Sequence, residues 1–238
     1  MARAPGLHPG GRRFEPCRAH ATPPHEALAL TAFPASPLAP DEFFEGFLGR
    51  ALARFTLRTR MSGPIGVVLR GRDGGEWSVH LDAASSRVEA GLHDTLAFTW
   101  VQSVDDWRGA LWEGRGGEGG KWAQLAFDPR RVAELSEEHP MPTAPSAAFS
   151  ELARAAGLFE LCITGAPGGD WAAAVQLGSG PVSSKPDARV TLSDDDAVAL
   201  ANGALSPMEA FLKGRVHFDG NSSLLLKLPG LARAAAGF

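Results

Sequence analysis

Apolar positions along the chain fall into two kinds of spacing. Phe43, Phe44, Phe47, Leu48, Ala51, Leu52 and Phe55 recur at three- and four-residue steps, which places them on one stripe of a helix. Ile65, Val67 and Leu69 then alternate with other residues up to Gly74-Gly75, and Trp77, Val79 and Leu81 alternate after it, as a two-stranded hairpin requires. Both patterns return. Phe149, Leu152, Ala153 and Ala156 have weaker helical spacing closed by Gly157, and Phe159, Leu161 and Ile163 precede a second glycine turn, with Trp171, Ala173, Val175 and Leu177 after it. An offset of 94 residues carries Gly71-Arg72-Asp73-Gly74-Gly75-Glu76-Trp77 onto Gly165-Ala166-Pro167-Gly168-Gly169-Asp170-Trp171 and also aligns Arg60 with Arg154. The register then slips: Phe98-Thr99-Trp100 best matches Val190-Thr191-Leu192, and Ser103-Val104-Asp105-Asp106 matches Ser193-Asp194-Asp195-Asp196. Two tandem copies follow, 40–140 and 145–238, joined by the Pro-rich segment His139–Pro145 and preceded by a disordered Pro-rich arm, 1–39.

The second copy is the more explicit in its last third. Val190 and Leu192 end a strand, and Ser193 caps a helix with Asp194, Asp195 and Asp196 in its first turn and Gly203 at its end. Ser206-Pro207-Met208-Glu209 supplies an N-cap, a first-turn proline and a capping-box glutamate for a short helix closed by Gly214, with Met208, Phe211 and Leu212 on its apolar side. A strand from Arg215 to Asp219 puts Val216 and Phe218 on one face. Leu224, Leu225, Leu226 and Leu228 then cover most of the circumference of a final helix, so that helix is buried nearly all round or lines a cavity. On the far side of the hairpin strand, Ser78 and His80 of the first copy become Ala172 and Ala174 in the second, an apolar face that calls for cover by helices or a lipid-like ligand.

Composition narrows the class. In 238 residues, 44% are hydrophobic and the formal net charge is -4, which excludes bulk disorder and argues against a general nucleic-acid binder. No apolar run approaches the roughly 18 residues of a membrane-spanning helix, and Met1–Pro24 lacks the apolar core of a secretory signal, so a cytoplasmic address is expected. Cys17 and Cys162 make no disulfide framework, and Cys162, inside an apolar run, reads as a core residue. Candidate chemistry is thin. In Gly114–Trp122, Lys121 is followed by Trp122 where a phosphate loop needs Ser or Thr. His80 and Asp82 have no third metal ligand at recognisable spacing, Gly178-Ser179-Gly180 is no nucleophile elbow, and the tryptophans of the first copy read as packing. No catalytic group, metal set or cofactor motif emerges.

The stretches Asp187–Asp196, Leu200–Pro207 and Ala210–Val216, continued by Asp219-Gly220-Asn221 and Leu224–Leu228, resemble the sterol carrier protein type 2 family over essentially the whole second copy. The first copy resembles it through its hairpin and the Asp105-Asp106 helix, with Leu111 and Gly114 in the places of Leu200 and Gly203. It then departs, since Arg115–Gly120 stands where the Pro207 helix should be; a strand at Trp122–Phe127 and a helix at Pro129–Leu135 are expected to complete a reduced copy. The resemblance implies an α+β fold: two tandem sterol-carrier-like domains, each a mixed five-stranded sheet covered by helices. It further implies an apolar tunnel for sterols, phospholipids, fatty acids or acyl-CoA esters, without catalysis or cofactor. By motif position the lining falls to Met208, Phe211, Leu212, Val216, Phe218, Leu224, Leu225 and Leu228. The expected function is binding or transfer of a lipid or acyl-chain ligand by the C-terminal copy, with transient membrane contact and oligomeric state left open. The alternative is an interaction or dimerisation module with filled cores, accessory to a lipid-metabolising enzyme.

Overall fold

In the computed structural model, the residues described are 32–54, 64–81, 85–138, 156–178 and 180–221. The expected first helix forms as two joined segments, α1 (Glu42–Leu48), wound with wider π-type turns, and α2 (Gly49–Leu52), and all six described members of its apolar stripe are buried. Phe55 and the helix expected before Gly157 lie outside the described residues. Gly157 itself opens a strand.

Four strands follow: β1 (Ile65–Arg70), β2 (Gly75–His80), β3 (Arg87–Ala90) and β4 (Phe98–Ser103). Helices α3 (Val104–Trp112), α4 (Gly117–Phe127) and α5 (Pro129–Glu138) come next. The second half contributes β5 (Gly157–Thr164), β6 (Trp171–Leu177), β7 (Ala188–Ser193), α6 (Asp194–Ala201), α7 (Pro207–Leu212) and β8 (Val216–Gly220).

The two halves share one connection. β1 pairs antiparallel with β2 and parallel with β4, and β5 pairs antiparallel with β6 and parallel with β7. Each parallel strand runs into a helix capped in the same way: the Ser103 hydroxyl accepts from Asp106 N at 2.9 Å, and that of Ser193 from Asp196 N at 3.2 Å. The strand register places Ile65 beside Phe98 and Phe159 beside Ala188, so Phe98 corresponds to Ala188, two residues from the sequence match with Val190.

In place of two five-stranded sheets, the described residues form one sheet of eight strands, in the order β3-β2-β1-β4-β6-β5-β7-β8. Antiparallel pairing of β4 with β6, at Thr99–Gln176, Trp100–Val175 and Val101–Ala174, makes the seam. Each half thus has its fifth neighbour supplied by the other: β6 stands beside β4 where the second half has β8 beside β7, and β4 stands beside β6 where the first half has β3 beside β2.

The segment Trp122–Phe127 is helical, not a strand, because α4 buries Gly119, Gly120, Ala123 and Phe127 at helical spacing. Its glycines allow close approach: a Cβ at Gly119 would lie 2.7 Å from Ile163 Cγ1 of the other half. Order also begins earlier than residue 40. Phe33 packs edge-on against Phe43 and Phe47, and Trp112 Nε1 donates to the Pro34 carbonyl at 2.8 Å.

Helices cover one face of the sheet. In the first half, that face and α1–α4 enclose a buried aromatic core of Phe43, Phe44, Trp77, Trp107 and Phe127, with Phe44 stacked on Trp77 at 4.4 Å. The opposite face carries a small cluster of Val68, Val101, Leu158 and Ala174 beneath the loop residues Leu92 and Val182. The apolar far side expected at Ala172 and Ala174 is therefore covered, at Ala174, by loop side chains, with polar Glu160, Cys162 and Arg189 on the neighbouring strands.

Candidate apolar binding face

Strand alternation and register arrange the helical face of the second half in rows. Trp171, Ile163, Leu192 and Val216 are successive cross-strand partners, and Ala173, Leu161, Val190 and Phe218 form the next row. Trp100, Val175, Phe159 and Ala188 form the third, which crosses the seam. Charged residues of the same strands alternate to the other side, where Arg189 is paired with Glu160. Cys162 lies there too; burial first, and the Glu160 carboxylate second, push its thiol up to about 11.

Helices cover one end of this face closely. Ala110 of α3, Ala123 of α4 and Ala197 of α6 are fully buried against Ile163, Trp171 and Leu192, small side chains that let three helices come down on the sheet. Asp194 joins two of them, since its Oδ1 accepts from Glu118 N at 2.8 Å in the first turn of α4 while the residue opens α6.

The other end is different. A cluster with a floor of two buried residues, Leu177 and Ala188, is walled by Phe98, Phe159, Val175 and Phe218, all four only partly buried. Every member comes from a strand. Partly buried apolar side chains packed around two buried ones form an apolar patch on the strand face that a hydrocarbon can contact.

The residues expected to line a ligand site fall in three groups. Val216 and Phe218 lie on this face, partly buried. Met208, Phe211 and Leu212 sit on α7 and are 68%, 53% and 76% exposed, while Ala210 anchors that helix. Leu224, Leu225 and Leu228 lie outside the described residues. Sequence reading missed Phe98, Phe159 and Val175. The signal was present in the alternation that puts Phe159 and Val175 on the Trp171 face, but alternation alone does not separate a core position from an open one.

Other candidates resolve into local structure. His80 Nε2 lies 3.0 Å from Glu89 Oε2, and the Arg87 guanidinium, with His80, holds the Glu89 carboxyl below its ordinary range. Asp82 lies outside the described residues, among which no group of three or more His, Cys, Asp or Glu is placed to hold a metal ion. The glycine-rich Gly116–Gly120 run opens α4 against the Asp194 carboxylate. No helix among the described residues is long and apolar enough to cross a membrane.

A mixed α+β fold with an apolar strand face in its C-terminal half defines the class. Within it, residues 141–233 match the model of the SCP-2 sterol transfer family. Sterol carrier protein 2 of Bos taurus is 34% identical over 82 residues, covering 32% of this chain and 15% of that protein. Hydroxysteroid dehydrogenase-like protein 2 of Bos taurus is 30% identical over 120 residues, covering 42% of this chain and 29% of that protein. The chain thus spans less than a third of the length of either relative. Among solved structures, sterol carrier protein domain 2 of Helicoverpa armigera is 33% identical, with 37% of this chain and 73% of that one covered and a TM-score of 0.28.

Proposed function

We propose that residues 145–238 bind an apolar lipid or acyl-chain ligand and carry it without catalysis, in the cytoplasm, and that residues 40–140 are a reduced copy of the same domain. The observation that carries this reading is the strand-only cluster of Phe98, Phe159, Val175 and Phe218 over Leu177 and Ala188, set largely within the segment that matches the SCP-2 sterol transfer family. A hydrocarbon laid on it needs no directional partner, and each methylene withdrawn from water contributes about 0.8 kcal/mol. Of the residues expected at the site, Val216 and Phe218 belong to the face itself. Met208, Phe211 and Leu212 hold apolar surface on α7, beside β8, where a ligand would enter.

The reduced-copy reading is supported by the recurring hairpin, parallel strand and serine-capped helix. The first copy's aromatic core, with Phe43, Phe44 and Trp107 fully buried, supports a mainly structural role for it. Native mass spectrometry of gently purified protein tests the function: co-purified lipid, or a one-to-one adduct after adding fatty acid, is expected. A bare mass under both conditions overturns it.

A further inference from the structure

Resting on the lipid reading above, we infer that the N-terminal half supplies part of the ligand site through β4, with Phe98 as a member of the apolar strand cluster and Trp100 as a fixed ring beside it. Of the cluster walled by Phe98, Phe159, Val175 and Phe218, Phe98 alone lies outside the segment 141–233 that matches the family. It reaches the others because β4 joins the sheet directly beside β6. Trp100 continues the same row as the cross-strand partner of Val175, whose other partner is Phe159.

Two contacts hold the Trp100 ring in place. Its Nε1 donates to Gln102 Oε1 at 3.1 Å, and Gln102 Nε2 donates to the Ala172 carbonyl on β6 at 3.1 Å. Phe127 meets the ring edge to face, with centroids 5.8 Å apart. The indole's polar group is thus satisfied within the protein, and the ring remains only partly buried between the two halves' cores. An aromatic held this way offers apolar area with little ordering left to lose on binding. The face that results runs from β4 to β8, five strands wide, or about 19 Å at the usual strand spacing, a breadth suited to a long acyl chain lying across the strands.

The test uses the full chain, cis-parinaric acid as the titrated ligand and dibrominated stearic acid as a quencher of tryptophan. Phe98→Ala is expected to raise the Kd about tenfold, equivalent to about 1.4 kcal/mol. Phe159→Ala is expected to do the same, and Leu92→Ala, on the opposite face, to leave the Kd unchanged. Quenching by the brominated acid is expected to fall by more than half in Trp100→Phe, which keeps an aromatic ring at this position and serves as the second readout where Phe98→Ala does not fold. If Phe159→Ala weakens binding while Trp100→Phe is quenched as wild type and Phe98→Ala, where it folds, binds as wild type, the lipid reading stands and a share for the N-terminal half is overturned. Absence of saturable binding by the wild-type chain overturns both.

Discussion

Cys162 shows how the two faces of one strand divide their tasks. Phe159 and Leu161 turn toward the apolar, helix-covered face, and Cys162 turns to the other, beside Glu160 and Arg189. Burial and the adjacent carboxylate raise its pKa from 9.0 to about 11. The thiolate, the reactive form, is therefore about a hundredfold scarcer at pH 8 than for an ordinary cysteine, an effect partly offset by the greater nucleophilicity of a more basic thiolate. In a Cys17→Ser background, alkylation at pH 8 should run about tenfold slower than that of an unfolded cysteine peptide, and the rate should keep rising with pH toward 11. A rate equal to the peptide's, measured by mass shift, would refute this environment. Bound lipid should leave the rate unaltered, since the thiol is on the far face.

At the scale of elements, the informative one is α4. Its glycine content gives it little intrinsic helicity, and its first turn is completed from outside, by Asp194 accepting from Glu118 N. Asp194→Ala removes that acceptor and a negative charge from the start of two helices, and should lower stability by about 1 kcal/mol. Asp194→Asn, which keeps an acceptor, should lose less. Urea denaturation separates the two, and equal stability of Asp194→Ala and wild type would contradict the shared cap. Sequence legibility divides along the same line. The ends of α6 and α7 were readable because Ser193 with Asp196, Ser206 with Pro207, and the left-handed glycines Gly203 and Gly214 act within a few residues of one another. The helical state of α4 was not, because its reasons, Trp171 and Asp194, lie far along the chain. β3 went unread for another reason: four residues with Arg87 and Glu89 among them show little apolar alternation, as suits an edge strand. The motif picked out Val216 and Phe218, which the structure places on the apolar strand face. Phe98 was not legible, since only the seam between β4 and β6 brings it to that face.

For the molecule as a whole, the continuous sheet has a thermodynamic consequence. The β4–β6 seam, the Asp194 cap and the packing of α4 on Ile163 and Trp171 all cross between halves that the repeat would otherwise make separate. Elements that share a sheet and a helix cover should lose their structure together. Thermal unfolding followed by near- and far-ultraviolet circular dichroism should therefore show a single coincident transition; two separated transitions would mean that the halves are independent domains. The same continuity gives the apolar strand face residues from both halves. The most direct measurement is a fluorescent fatty-acid titration of the full chain beside its Phe159→Ala/Phe218→Ala variant. Saturable micromolar binding by the wild type, weakened at least about tenfold in a variant that still unfolds in one transition, is the predicted result. No saturable binding, or equal affinity in the two proteins, would contradict the account.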